Sequence, residues 1–189
     1  VQRRRLLGRS DYRHNVKLNF SGIRQEMTKT LLIMRHAKSS WNHSGLADHD
    51  RPLNNRGLRD TPRMAEWIAK QGLVPGLVLT STATRAISTA NLLADSCHEF
   101  TSAVQADGNL YHASARIYLE TAARIDDSIS TAMIIGHNPG LEELVEILAG
   151  HYERMPTAAI ACFEFPVESW TQITPDSAVL KDIWRPKEI

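Results

Sequence analysis

The sequence predicts a three-layer α/β/α sandwich around a mostly parallel sheet, and three observations carry that expectation. Short apolar runs at Leu31 to Met34, Leu77 to Thr80 and Thr131 to Ile135 are too brief for independent helices and suit buried parallel strands. Longer stretches between them have helical spacing and helix-capping residues. The strands and helices alternate along the chain, which is the pattern of a parallel sheet covered on both faces.

The first run, within Thr30 to Asn42, ends in Arg35-His36. Lys38 to Arg51 is polar and reads as an exposed loop. Asn54 or Asn55 can cap a helix to about Gln71, with Leu58, Met64, Ala65 and Ile68 inward and Gly72 ending it. Pro62 would kink that helix, or open a new one at its first position. Pro75-Gly76 turns into the second strand, after which Ser81 or Thr82 caps a helix to about Asp95 with Arg85 in its first turn. The segment from Ala103 to Tyr111 is ambiguous and has room for a short strand, and Ser114 can cap a helix to about Ile125. The third strand runs into Gly136-His137-Asn138-Pro139, where Asn138 as N-cap and Pro139 as first residue start a helix that stops at Gly150. Two closing strands, Ala158 to Phe165 and Ala178 to Ile183, suit the far side of the sheet.

With 189 residues and 42% apolar content, the chain can bury one core. No apolar run approaches the ~20 residues of a membrane helix, so a soluble, cytoplasmic protein with no membrane partner is expected. Cys97 and Cys162 are far apart and form no C-x-x-C pattern, which suits buried thiols in a reducing compartment. Arg3, Arg4, Arg5, Arg9, Arg13, Lys17 and Arg24 crowd residues 1–26 against Asp11 and Glu26, leaving the body mildly acidic within a net charge of +1. A basic leader could be a nucleic-acid arm or a targeting peptide. It lacks periodicity and an apolar core, and Met27 directly precedes the first strand, so a plain extension outside the fold is favoured and no nucleic-acid partner is expected.

Three strands thus end in Arg35-His36, the Ser81 to Arg85 turn and Gly136-His137. In a parallel sheet these converge on one crevice at the strands' carboxyl ends. Two guanidiniums, two imidazoles and two helix N-termini suit a multiply charged anion such as phosphate. There is no Walker glycine loop and no acidic cluster for magnesium, so a metal-free mechanism without a cofactor is expected. A neutral imidazole can take a phosphoryl group while arginines neutralise its oxygens.

These residues carry a resemblance to the histidine phosphatase superfamily, also called phosphoglycerate mutase-like. Arg35-His36-Ala37-Lys38-Ser39-Ser40-Trp41-Asn42 resembles the family's R-H-G-E-[ST]-x-x-N. Asp50 to Gly57 resembles D-x-P-L-[TS]-x-x-G, and Ser81 to Ala90 resembles S-P-x-x-R-A-x-x-T-A. Gly136 to Leu141 matches G-H-x-x-x-[LI]. The resemblance covers roughly residues 28 to 185; it implies a histidine phosphatase domain over 27–189. It also implies that His36 is the phosphorylated nucleophile, that Arg35, Arg85 and His137 bind the phosphoryl oxygens, and that Asn42 and Ser39 add hydrogen bonds. The short body and R-H-A-K-S-S-W look most like the phosphohistidine phosphatase SixA branch.

Two departures matter. Ala37 stands where the family has glycine. The carboxyl that mutases carry as general acid has no counterpart in Gly108 to Ala113; Asp107, Asp48 and Asp50 are the nearest candidates. A missing acid favours a phosphoramidate, because an imidazole leaving group needs protonation less than an alkoxide does. The expectation is a phosphatase acting on a protein phosphohistidine. A broad small-molecule phosphomonoesterase or mutase acting on a phosphorylated metabolite, and a silent phosphoprotein-binding module, are the alternatives. His43, His49, His98, His112 and His151 match no motif and are expected on the surface, Trp41 and Trp67 in packing, and Trp184 in the sheet.

Overall fold

A computed structural model describes residues 28–42, 45–100 and 103–189. The basic leader and His43 lie outside the described residues. Six strands, β1 (Lys29–Arg35), β2 (Leu77–Ser81), β3 (Ala103–Asp107), β4 (Thr131–Gly136), β5 (Ile160–Phe165) and β6 (Val179–Trp184), form one sheet in the order β3-β2-β4-β1-β5-β6. Only β5 runs against its neighbours; β1, β2, β3 and β4 pair in parallel.

Period-two alternation sorts the strand side chains to the two faces. Leu31 and Ile33 of β1, with Ala132 and Ile134 of β4, face one core that includes Tyr118, Leu141 and Val145. Leu32, Met34, Met133 and Ile135 face the other, with Met64, Ile68, Ala90 and Leu93. Helices α1 (Asn55–Lys70) and α2 (Thr84–Ser96) therefore cover one face, and α3 (Ala115–Ala122) and α4 (Gly140–Ala149) the other. No helix among the described residues is long and apolar enough to cross a membrane.

Helix α1 starts where Asn54 Oδ1 accepts the Arg56 and Gly57 amides at 3.0 and 3.1 Å. Pro62 does not restart it: the helix runs unbroken from Asn55 to Lys70. Its buried stripe is Gly57, Thr61, Met64 and Ile68. Leu58 lies one residue, about 100° of helix, off that stripe and is exposed, contrary to the inward position expected of it. Gly57 is required by close approach, because a Cβ there would collide with the Lys38 carbonyl oxygen.

Three other ends differ from the sequence expectation. Helix α2 takes Ala83 as N-cap without a side-chain bond, because Ser81 Oγ accepts the Ala83 amide one turn earlier, at 3.2 Å. Pro139, not Asn138, is the N-cap of α4, and Asn138 Nδ2 instead donates to the Met155 carbonyl at 3.1 Å. Helix α3 ends at Ala122, three residues short of Ile125.

Candidate active site

Strand register brings the motif residues to one level. Arg35 of β1 pairs with Gly136 of β4, and Thr80 of β2 pairs with Ile135, so His36, Ser81 and His137 leave the sheet side by side at the strands' carboxyl ends. The His36 and His137 ring centroids are 4.9 Å apart. Arg35, His36, Arg85 and His137 line one cavity of about 210 Å³, together with Lys38, Ser39, Trp41, Asp48, Arg51 and His112.

The tautomer of His36 follows from its partners. Nδ1 lies 2.7 Å from the Ala37 carbonyl oxygen, which can only accept, so Nδ1 carries the proton. Nε2 keeps its lone pair and accepts from Arg85 Nε at 3.3 Å. Burial holds the ring's pKa down at about 3; the Ala37 bond opposes this, and the charges of Arg85, Arg35 and Arg51 reinforce it. A neutral imidazole with one bare nitrogen on the cavity is the form a nucleophile needs. The Ala37 amide donates to Thr89 Oγ1 at 3.0 Å, and that hydroxyl donates to the Arg85 carbonyl, so α2 fixes both the loop that follows His36 and Arg85 itself.

His137 is held in the same fashion. Its Nδ1 lies 3.4 Å from Arg85 Nη2, which can only donate, leaving Nε2–H to donate to Ser81 Oγ at 2.8 Å. Burial, then the proximity of His36 and Arg85, holds its pKa at about 3. Its amide donates to the Tyr118 hydroxyl at 2.9 Å. Gly136 makes room for that contact, since a Cβ would strike the same hydroxyl.

Arg35 Nη1 donates to the Met155 carbonyl at 2.9 Å, while its buried Nε has no partner among the described residues. An unpaired buried donor beside a neutral imidazole suits an incoming anionic oxygen.

The loop after β1 is more deeply engaged than its polarity suggests. Arg51, expected in an exposed loop, is buried. Its guanidinium donates to the Ser40 carbonyl, Ser39 Oγ and Asp48 Oδ1 at 2.9, 2.5 and 2.6 Å. Ser39 therefore reaches the cavity wall with its hydroxyl already accepting from Arg51. Asn42 does not line the cavity: it is exposed, and its amide donates to Ser40 Oγ. Trp41 is not packed inside but 71% exposed on the cavity rim, with the Arg51 guanidinium carbon 3.2 Å from its ring centroid. His112 also lines the cavity, although it matches no motif.

Of the three candidate acids, only Asp48 reaches the cavity. Asp50 pairs with His49, and Asp107 accepts the Asn109 amide. Asp48 takes hydrogen bonds from Arg51, Arg85 Nη2 at 2.9 Å and the Tyr111 hydroxyl at 3.0 Å. Partial burial pushes its pKa up, but bonds from Arg51, Tyr111 and Arg85 outweigh that and hold it at about 2. It is a carboxylate, not a stored proton.

The sequence model of the histidine phosphatase superfamily (branch 1) matches residues 31–114. An uncharacterised protein of Mycobacterium tuberculosis is 32% identical over 159 residues, covering 78% of this chain and 96% of its own. An uncharacterised chloroplastic protein of Arabidopsis thaliana is 30% identical over 154 residues, covering 77% of this chain and 71% of its own. Among solved structures, a protein from Agrobacterium tumefaciens assigned as phosphohistidine phosphatase SixA superposes with a TM-score of 0.72 at 25% identity, over 84% of this chain and 98% of that one. The protein histidine phosphatase SixA complexed with tungstate gives 0.70 at 21% identity, over the same shares of the two chains. With Arg35, His36, Arg85 and His137 gathered on one cavity, and with these relatives, the chain belongs to the histidine phosphatase superfamily.

Proposed function

We propose that the protein is a metal-independent phosphatase that dephosphorylates protein phosphohistidine through a phosphorylated His36. The observation that carries this reading is the state of Asp48, the one carboxylate among the described residues lining the cavity, which is ionised and held by three donors. Without a proton to give, the site favours a leaving group that needs none.

In the first step, His36 Nε2 attacks phosphorus and the P–N bond to the substrate imidazole breaks. The electron pair stays on the departing nitrogen, and the ring, already protonated on its other nitrogen, leaves neutral. Arg35 and Arg85 neutralise the equatorial oxygens. His36 keeps its Nδ1 proton on the Ala37 carbonyl throughout, so the phosphorylated ring is cationic and is itself a good leaving group. Water then attacks phosphorus, inorganic phosphate departs with the water's oxygen, and His36 returns to its starting tautomer. A silent binding module would not need a bare, buried imidazole nitrogen. The cytoplasmic location suggested by two unpaired cysteines belongs to the same reading.

The test compares a phosphohistidine peptide, p-nitrophenyl phosphate and an alkyl phosphate monoester, in chelator, with wild type, His36→Ala and Asp48→Asn. Rates should fall in that substrate order, His36→Ala should be inactive, and Asp48→Asn should cost less than about tenfold, against the ~10²–10⁴ of a lost general acid. Equal rates on alkyl and activated esters, with a large loss in Asp48→Asn, would instead make the protein a general phosphomonoesterase or mutase.

A further inference from the structure

The catalytic cavity, at about 210 Å³, has room for a phosphoryl group and the ring that carries it but not for a polypeptide, so most of a protein substrate must rest outside it. A second and larger cavity, of about 800 Å³, adjoins it, and Thr157 lines both. Six cations line this groove: Arg56, Arg59 and Arg63 from α1, Arg154 before β5, and Arg185 and Lys187 after β6. The three on α1 follow i, i+3, i+7 spacing and so share one face.

Like charges at this spacing destabilise a helix unless something offsets them. Asp60 does so in part, pairing with Arg59 at 2.9 Å and Arg56 at 3.7 Å. Glu153 and Glu188 both pair with Arg185, and Arg63 donates to the backbone carbonyls of Pro186 and Ile189. These contacts consume the carboxylates of the groove. Arg154 and Lys187 remain exposed and have no ion pair among the described residues.

We infer that this groove is the docking site for an acidic polypeptide segment flanking the phosphohistidine of the substrate protein. The inference rests on the proposed phosphohistidine phosphatase reading and names its substrate class. A polypeptide fits better than a compact polyanion because the free cations, Arg154 and Lys187, come from separate segments and are interleaved with neutralised pairs. Such a surface matches carboxylates spaced along a chain.

The test uses the double variant Arg154→Glu/Lys187→Glu, which breaks no described ion pair. The substrates are two phosphohistidine peptides, one with Asp and Glu flanks and one with Lys flanks, together with p-nitrophenyl phosphate. Wild type should prefer the acidic peptide, and the variant should lose about tenfold or more in kcat/KM on it, through KM, with a weaker salt dependence. Its p-nitrophenyl phosphate turnover should stay unchanged, which also reports a folded enzyme. Equal cleavage of the two peptides by wild type, or an equal loss on peptide and ester in the variant, would overturn the docking site while leaving the phosphatase intact. If wild type cleaves the ester and neither peptide, the phosphohistidine reading fails, and the groove is then judged by inhibition. An unphosphorylated acidic peptide should inhibit ester hydrolysis by wild type and not by the variant. No inhibition, or stronger inhibition by inorganic tripolyphosphate that is lost in the variant, would overturn it.

Discussion

The Ala37 carbonyl sets what His36 can do, because an oxygen that only accepts pins the ring proton on Nδ1 and leaves Nε2 bare. Burial then keeps this neutral form down to about pH 3, where a free imidazole would begin to protonate near 6.5. Asp48 remains ionised to about pH 2. His36, His137 and Asp48 therefore keep one protonation state from neutrality to well into the acid range. We expect the acid limb of kcat/KM on p-nitrophenyl phosphate, after correction for the ester's own ionisation, to fall more than a unit below 6.5. A limb at 6.5 would mean that His36 titrates as an exposed imidazole and that its burial has no catalytic consequence.

Helix α1 locates the loop that closes the site, and Gly57 is the point of contact. Gly to Ala inside a helix ordinarily stabilises by about 1 kcal/mol. Here the added methyl meets the Lys38 carbonyl oxygen, which also accepts the Asn54 amide at 2.9 Å and cannot swing aside as a side chain would. Overpacking costs about 1–3 kcal/mol, so Gly57→Ala should destabilise on balance, and kcat should fall as Ser39 and Arg51 shift. Denaturant unfolding and turnover of this variant check both signs; a stabilised variant would show that the loop yields freely. The same contact explains what is legible in the sequence. Arg35, His36, Arg85 and His137 can be read from it because each follows a buried run whose carboxyl end has a fixed place in a parallel sheet. Arg51 and Trp41 cannot, because a polar loop carries no periodicity, and in that loop Asp48 is legible as one of three candidate acids without its place in the cavity. The bonds from Arg51 to Ser39 and Ser40, and those from Arg85 and Tyr111 to Asp48, turn that loop inward. The placement of Asn42 is not legible for the same reason: its backbone amide is tied to Ser40 Oγ, and the residue is exposed and does not line the cavity.

At the scale of the whole molecule, gathering two neutral imidazoles and a carboxylate at the centre of the sheet links catalysis to stability. His36 and His137 take up protons near 6.5 when unfolded and only near 3 when folded, so between those values the unfolded chain binds more protons. Their contribution to stability is complete above pH 6.5 and is lost as the pH falls toward 3, by up to about 1.4 kcal/mol per pH unit for each ring. Asp48 acts in a lower window: its folded value of about 2 lies below the ordinary 3.8, so its contribution is complete above 3.8 and disappears as the pH falls through 2. Thermal unfolding in buffer free of phosphate should therefore show Tm declining from about pH 6.5 downward, before carboxylates in general begin to protonate. Replacing His36 with Asn should make the decline between 6.5 and 4 about half as steep, because His137 remains, and leave the lower limb in place. An unchanged slope in that variant would mean that the decline arises elsewhere, and that the neutral His36 ring is maintained at no cost to the fold.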